Sequence, residues 1–257
     1  VAGSQASTQE IGGGVHRFAD GIVNWYLIQD QGQLTLVDTG WPRSWPRIER
    51  AISELGFSPA DVAAVVLTHG HPDHLGAAEK ARQECEAPVM AYSGEVGRVR
   101  GEAKGSSPFA MLPDLVPELR RVASFKFVGE ATVQGFMTPT WVQEVEPFEA
   151  DEKLDVPGRP VPLRTPGHTE GHVSLLLEEP GILIAGDALL TLNPLTREEG
   201  PCLPPPPVNS DTAQARRSLE TIEEASADTL LPGHGEPWRE GAAEAVARAR
   251  ERDASGS

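Results

Sequence analysis

Four side chains able to hold a metal ion crowd into residues 68–74, Thr-His-Gly-His-Pro-Asp-His. They are His69, His71, Asp73 and His74, and they include three of the chain's seven histidines. Neutral imidazole and carboxylate are the usual donors to zinc and its first-row neighbours. His69 and His71, two apart, reach one ion if the segment is extended. Asp73 and His74 are adjacent, point in different directions and can serve a second. A polar, solvated loop with a chance cluster of histidines is the alternative, and the density of histidine argues against it.

Three later donors each stand where an apolar run ends. Thr165-Pro166-Gly167-His168 follows residues 161–164, Ala185-Gly186-Asp187 follows 182–184, and Pro232-Gly233-His234 follows 229–231. A glycine beside each suits backbone that turns sharply or passes close to an ion. Singly, each is more often just a turn residue. His172, in Gly-His-Thr-Glu-Gly-His, reads as structural or as support for a ligand, since the glycine and the β pattern after it argue for a loop. His16, in the first strand, reads as unrelated.

The elements that must position these groups follow from period and punctuation. Residues 22–28 and 34–37 are rich in β-formers, with Asp30-Gln31-Gly32 as turn chemistry between them, so they predict a hairpin ending at Asp38-Thr39-Gly40. Residues 44–55 place Ile48, Ile52 and Leu55 on one helical face, and Gly56 stops them. Ser58-Pro59-Ala60-Asp61 reads as a capped turn. A buried strand over 62–67 delivers the chain to the histidine cluster, a helix over 75–85 leaves it, and a strand follows at 88–92. That places the cluster at a helix N-terminus, with unpaired donors for an anion.

Residues 94–140 break the rhythm, with a helix predicted over 113–125. Phe109, Met111, Leu112, Phe127, Phe136 and Met137 make this insertion either ordinary packing or a wall over the metal site. Strands are predicted at 141–145, 153–156, 161–164, 172–177, 182–185 and 229–231, and helices at 211–224 and 240–252. The five prolines of residues 201–207 favour an extended loop. Two β-rich halves with helices outside predict an α+β chain folded as a four-layer αββα sandwich, a single domain over 1–257.

Composition narrows the partners. A net charge of −16 argues against gripping nucleic acid. No apolar run is long enough to cross a membrane. Cys85 and Cys202 have no metal or redox spacing and read as buried or free thiols. The N-terminus shows no basic segment followed by an apolar one, so the expected location is cytoplasmic, the expected partner a small-molecule substrate, and a homodimer is compatible with this.

The donor order His-x-His-x-Asp-His, His, Asp, His, together with Leu36-Val37-Asp38-Thr39-Gly40, resembles the metallo-β-lactamase superfamily over residues 15 to 240. The resemblance implies the αββα fold and a dinuclear centre holding two divalent ions, zinc first, manganese or iron otherwise. It implies that His69, His71 and His168 hold one ion, that Asp73, His74 and His234 hold the other, and that Asp187 bridges them. Asp38 would hydrogen-bond a ligand imidazole and fix its tautomer. A water shared by two ions loses its proton near neutral pH and becomes a nucleophile, which Asp73 would keep in line. The implied activity is hydrolysis of an ester, thioester, lactone or amide. No residue stands out as acid for the leaving group.

Within the superfamily, β-lactamases typically replace the bridging aspartate, whereas Asp187 is present here. Glyoxalase II enzymes carry a C-terminal helical domain, for which the stretch after His234 is short. Autoinducer lactonases place a tyrosine after the bridging aspartate, where this chain has Ala188-Leu189-Leu190; its only tyrosines are Tyr26 and Tyr92. The resemblance therefore points to the small, generic hydrolase branch. The alternative is a persulfide dioxygenase, which shares much of the donor set but uses a single iron. Trp41, Trp45, the insertion and the loop over 190–207 are candidate pocket walls.

Overall fold

Alternation along the strands sorts the apolar side chains into layers. The computed structural model describes residues 7–107 and 112–255. Its first sheet runs in chain order through β1 (Ser7–Gly12), β2 (Val15–Asp20), β3 (Val23–Asp30), β4 (Gln33–Val37), β5 (Val62–Leu67), β6 (Val89–Tyr92) and β7 (Glu146–Phe148). Strands β1 to β4 pair antiparallel, and β4 to β7 parallel. Along β3, Trp25 and Leu27 face one way, onto Ile48 and Ile52 of α1 (Trp45–Glu54) and Ala78 and Ala81 of α2 (Ala78–Cys85). Tyr26 and Ile28 face the other way, into the space between the two sheets.

The second sheet uses β8 (Val161–Arg164), β9 (Val173–Leu177), β10 (Ile182–Gly186) and, after a small hairpin of β11 (Leu190–Leu192) and β12 (Glu199–Cys202), β13 (Thr229–Pro232), in the order β13-β10-β9-β8. Ile182 and Ile184 of β10 meet the first sheet across the middle. Leu183 and Ala185 turn outward onto Leu219 and Ile222 of α6 (Thr212–Glu224) and Val246 of α7 (Ala242–Ser255). The result is the α/β/β/α sandwich, an α+β fold. Each buried aliphatic side chain in these layers contributes about 1.5–3 kcal/mol over leaving it exposed.

Local chemistry sets the remaining details. The β3–β4 hairpin closes through Gln31 (φ 48°) and Gly32 (φ 79°), a two-residue loop with both residues left-handed, the form that matches strand twist. Ser58 and Asp61 form the reciprocal cap of a 3₁₀ turn. Asp211 caps α6 by accepting from the Gln214 N–H at 2.9 Å. Cys85 and Cys202 are buried free thiols. Among the described residues no helix is long and apolar enough to cross a membrane.

Four expectations change. Helix α2 begins at Ala78, not at residue 75, because the chain first turns twice: the N–H groups of His74 and Leu75 both donate to the His71 carbonyl at 2.9 Å. No helix N-terminus therefore opens at the cluster. In the insertion, which also holds the short α3 (Val96–Val99), α4 (Leu112–Leu115) is followed by a 3₁₀ turn over Val116–Arg120, and the main helix, α5 (Val122–Val133), starts late. Pro117 cannot continue an α-helix, and Arg121 is extended. Residues 141–145 form no strand, since Trp141, Val142 and Val145 cap the first helical layer; β7 follows them and joins the first sheet. Residues 153–156 are likewise irregular, with Leu154 and Val156 plugging the space between the sheets.

Candidate metal centre

Strand direction gathers the donors. Strands β4, β5, β8, β10 and β13 end respectively at Asp38, the 68–74 loop, His168, Asp187 and His234. Parallel pairing of β4 with β5 and of β10 with β13, and the antiparallel β9 between β8 and β10, put those ends along one edge. All eight expected residues meet there, each no more than 6% exposed. One trio is His69, His71 and His168; a second is Asp73, His74 and His234, with the donor atoms of each trio within 4.8 Å of one another. Asp187 stands between them, 3.4 Å from His168 Nε2, 3.4 Å from His74 Nε2 and 3.2 Å from His234 Nε2.

Hydrogen bonds around the centre decide which ring nitrogen is free. His74 Nδ1 donates to Asp38 Oδ2 (2.9 Å), and His234 Nδ1 donates to the Ile22 carbonyl (3.0 Å). Asn209 donates its amide to Pro204, so its oxygen accepts from His168 Nδ1 at 3.1 Å. Thr68 Oγ1 donates to Asp38 and therefore accepts from His69 Nδ1 at 3.0 Å. With Nδ1 so engaged, each of these four rings turns Nε2 inward, a free lone pair whenever the ring is neutral. His71 offers Nδ1 instead, 2.8 Å from His168 Nε2. His69 Nε2, His74 Nε2 and Asp187 Oδ1 are buried with no hydrogen-bond partner. Such orphaned, convergent lone pairs fit cations and little else.

A third grouping, Asp38 with His69 and His74, is equally tight. Its carboxylate is already committed: Oδ1 accepts from the Thr68 N–H and Oδ2 from Thr68 Oγ1 and His74 Nδ1. Asp38 orients the His74 ring.

Charge divides the two trios. Burial, reinforced by neighbouring imidazoles, holds His69 and His71 well below the usual histidine value. Burial also lowers His168, against the pull of Asp187. Burial opposes charge on His74 too, but Asp187, Asp73 and Asp38 overcome it and raise that ring to about 10. His234 rises for the same reason. Despite burial, Asp187 stays well below the carboxylate range because His234 and His74 face it. The carboxylates at the second trio demand positive charge, which protons supply when no ion does.

Three comparisons bear on this geometry. The family model for the metallo-beta-lactamase superfamily matches residues 19–234. This chain belongs to the metallo-β-lactamase superfamily. The probable metallo-hydrolase YflN of Bacillus subtilis is 30% identical over 238 residues, covering 87% of this chain and 84% of YflN. A metallo-β-lactamase family protein of Thermus thermophilus, TTHA1429, superposes with TM-score 0.64 at 28% identity, over 91% of this chain and 75% of that one. A metallo-β-lactamase of Cronobacter sakazakii gives TM-score 0.68 over 99% and 95% at 20% identity, a likeness of fold alone.

Within this metallo-β-lactamase fold, two supports escape sequence reasoning in part or whole. His172 is neutral, burial pushing it down to about 3. Its Nδ1 donates to Thr165 Oγ1 (2.9 Å) while Nε2 accepts the backbone N–H of Asp187 (3.0 Å), so it seats Asp187. Glu95 is the residue missed. It is 2% exposed, and its two oxygens accept the N–H groups of Gly70 and Gly171, both at 2.9 Å. One carboxylate thereby clamps the His69–His71 loop to the loop after His168. Nothing in Tyr-Ser-Gly-Glu marks it; only the tertiary fold brings Gly171 near. Replacing Glu95 by Gln turns one acceptor into a donor facing an N–H. The expected outcome is a loss of about 1–3 kcal/mol in urea unfolding and roughly tenfold weaker metal binding at the first trio.

The insertion closes the mouth. Leu115, Phe127, Val128, Ala131, Phe136 and Met137 line a cavity of about 50 Å³ whose floor holds His71, Asp73, His168, Asp187 and His234. Trp41 supports them from behind, 6.4 Å from Phe127 and 6.1 Å from Phe136 between ring centroids. Leu190 and Pro194 supply the opposite wall, whereas Trp45 belongs to the core under α1. Phe109, Met111 and the Leu112 side chain lie outside the described residues.

Proposed function

We propose that this chain is a dinuclear metallo-hydrolase that cleaves an ester, thioester, lactone or amide bond of a small molecule. The observation that supports it is the pair of donor trios sharing Asp187, with inward lone pairs left unpartnered. Five histidines and two carboxylates suit zinc, manganese or iron. In this reading His69, His71 and His168 would hold one ion, Asp73, His74 and His234 the other, and Asp187 would serve both. Bound there, the ions supply Lewis acidity that makes water a nucleophile near neutral pH and polarises a carbonyl.

The chain's own groups do the rest. Asp73 and Asp187 are the carboxylates that face the cavity. Asp73 accepts the hydrogen bond of the attacking water and takes its proton. Asp38, Thr68 and His172 hold the rings and Asp187 in register, and the apolar cover over the centre excludes bulk water, which strengthens each charge interaction beneath it. The acidic balance of the chain and the narrow, apolar-walled cavity favour a small substrate over nucleic acid.

Metal counting is the test. The purified protein is expected to carry about two equivalents of zinc, manganese or iron per chain. His69→Ala is expected to leave about one, with hydrolysis down at least about a hundredfold. Unchanged metal content and activity in that variant would sink the assignment. A single iron with oxygen uptake on a persulfide would replace it by a dioxygenase.

A further inference from the structure

Resting on the hydrolase reading, we propose that the site takes substrates whose acyl part is a slim, uncharged apolar chain and rejects those bearing a second anionic group. Among the described residues, the cavity wall from α4, α5 and the segment after it is apolar except for Thr132. The Thr132 hydroxyl is spent on the Val128 carbonyl at 2.7 Å. Leu190 and Val208 face it from the other side. No Lys or Arg lines this cavity among the described residues. The ionised residues of α5, Lys126 and Glu130, are both exposed, and Glu130 is held by Arg197. Residues 108–111, Pro-Phe-Ala-Met, contain no ionisable side chain.

A carboxylate or phosphate pressed against this wall would lose its water and gain no donor, a cost far above that of an apolar group of the same length. An alkyl chain gains contact with Phe127, Phe136 and Met137 instead. The space also speaks to shape. At about 50 Å³ the cavity is narrow, and a slim chain fits it with smaller side-chain adjustments than a fused ring system. The metal donors lie on the floor, so the scissile carbonyl sits there and the acyl chain rises along α5.

The test pairs substrates of equal length. Zinc-loaded protein is assayed on p-nitrophenyl hexanoate and on the p-nitrophenyl monoester of adipate, which differ by one terminal carboxylate. The expected ratio of kcat/KM is at least about a hundredfold for hexanoate. Thr132→Arg, a change at an exposed rim position, is expected to shrink that ratio roughly tenfold or more by supplying the missing cation. Equal rates, or preference for the adipate ester, would overturn the proposal while leaving a hydrolase. A second arm needs no turnover: octan-2-one and 7-oxooctanoate are titrated while the tryptophan emission, to which Trp41 contributes, is followed. Octan-2-one alone binding supports the proposal even if neither ester is cleaved, an outcome that would count against the hydrolase reading only. Tighter binding of 7-oxooctanoate overturns the proposal.

Discussion

Gly233→Ala is expected to abolish hydrolysis for practical purposes and to strip metal from the centre while the protein still folds. A Cβ at position 233 would lie 1.9 Å from Asp187 Oδ1 and 2.7 Å from His74 Cε1. Neither neighbour can yield without cost to the site. Asp187 is short and its backbone N–H is tied to His172, so relief comes by rotating the carboxylate away from both trios. The His74 ring is fixed at its far nitrogen by Asp38. The backbone of Gly233 itself is anchored on both sides, its N–H donating to Gly186 at 2.7 Å and its carbonyl accepting from Asn24 at 2.8 Å, so the loop cannot slide out. If Asp187 bridges two ions, as proposed, displacing its carboxylate would loosen both at once, and misplacement by about an ångström can alone cost roughly a hundredfold in rate. Overpacking should take about 1–3 kcal/mol from stability. Metal analysis, kcat/KM and urea unfolding of the one variant measure all three. Wild-type metal content with wild-type rate would show that Asp187 is not where the chemistry happens.

The reason Gly233 can be singled out from structure, yet only its neighbourhood from sequence, says where sequence reading reaches. The convergence of these side chains is legible because residues able to hold a metal are few in type and here follow strand ends. The layers are legible too: β3 and β10 read as near-continuous apolar runs, the mark of strands buried on both faces, and the structure packs each against two different cores. What a sequence hides is contact between distant segments. Glu95 joins Gly70 to Gly171, and no local pattern marks a carboxylate whose partners are backbone N–H groups from two loops. The insertion hides its role for another reason. Helix α5 is apolar nearly all round, with Phe127 buried against the cavity but Val122, Phe125 and Val133 exposed, so periodicity selects no face. Irregular backbone is the third blind spot. Leu154 and Val156 have the composition of a strand and the job of a plug: Pro160 and Pro162 accept from the Leu154 and Asp151 N–H groups but have no N–H to return, so no ladder continues.

Asp38 offers the sharpest separation of electrostatics from backbone strain. It sits at φ 55°, in the left-handed region that asparagine tolerates about as well as aspartate and alanine does not. Asp38→Asn therefore keeps the turn and changes only the hydrogen bonds. An amide cannot satisfy this site in either orientation: one oxygen position accepts the Thr68 N–H, the other accepts both Thr68 Oγ1 and His74 Nδ1, and an NH₂ at either place meets donors head-on. With the oxygen on His74, the Thr68 N–H is buried and unpaired; with the oxygen on Thr68, His74 is driven to the tautomer that points a proton at the second trio. The expected result for Asp38→Asn is roughly 10–100-fold weaker metal binding and a stability loss of about 1–3 kcal/mol. Asp38→Ala should lose about 1–2 kcal/mol more, because it adds the left-handed strain to the same lost bonds. Asp38→Gly should recover that increment without recovering metal affinity. Calorimetric unfolding of the three variants, each beside a zinc titration, tests the order. If Asp38→Asn bound zinc as tightly as the wild type, the aspartate would be a turn residue and nothing more.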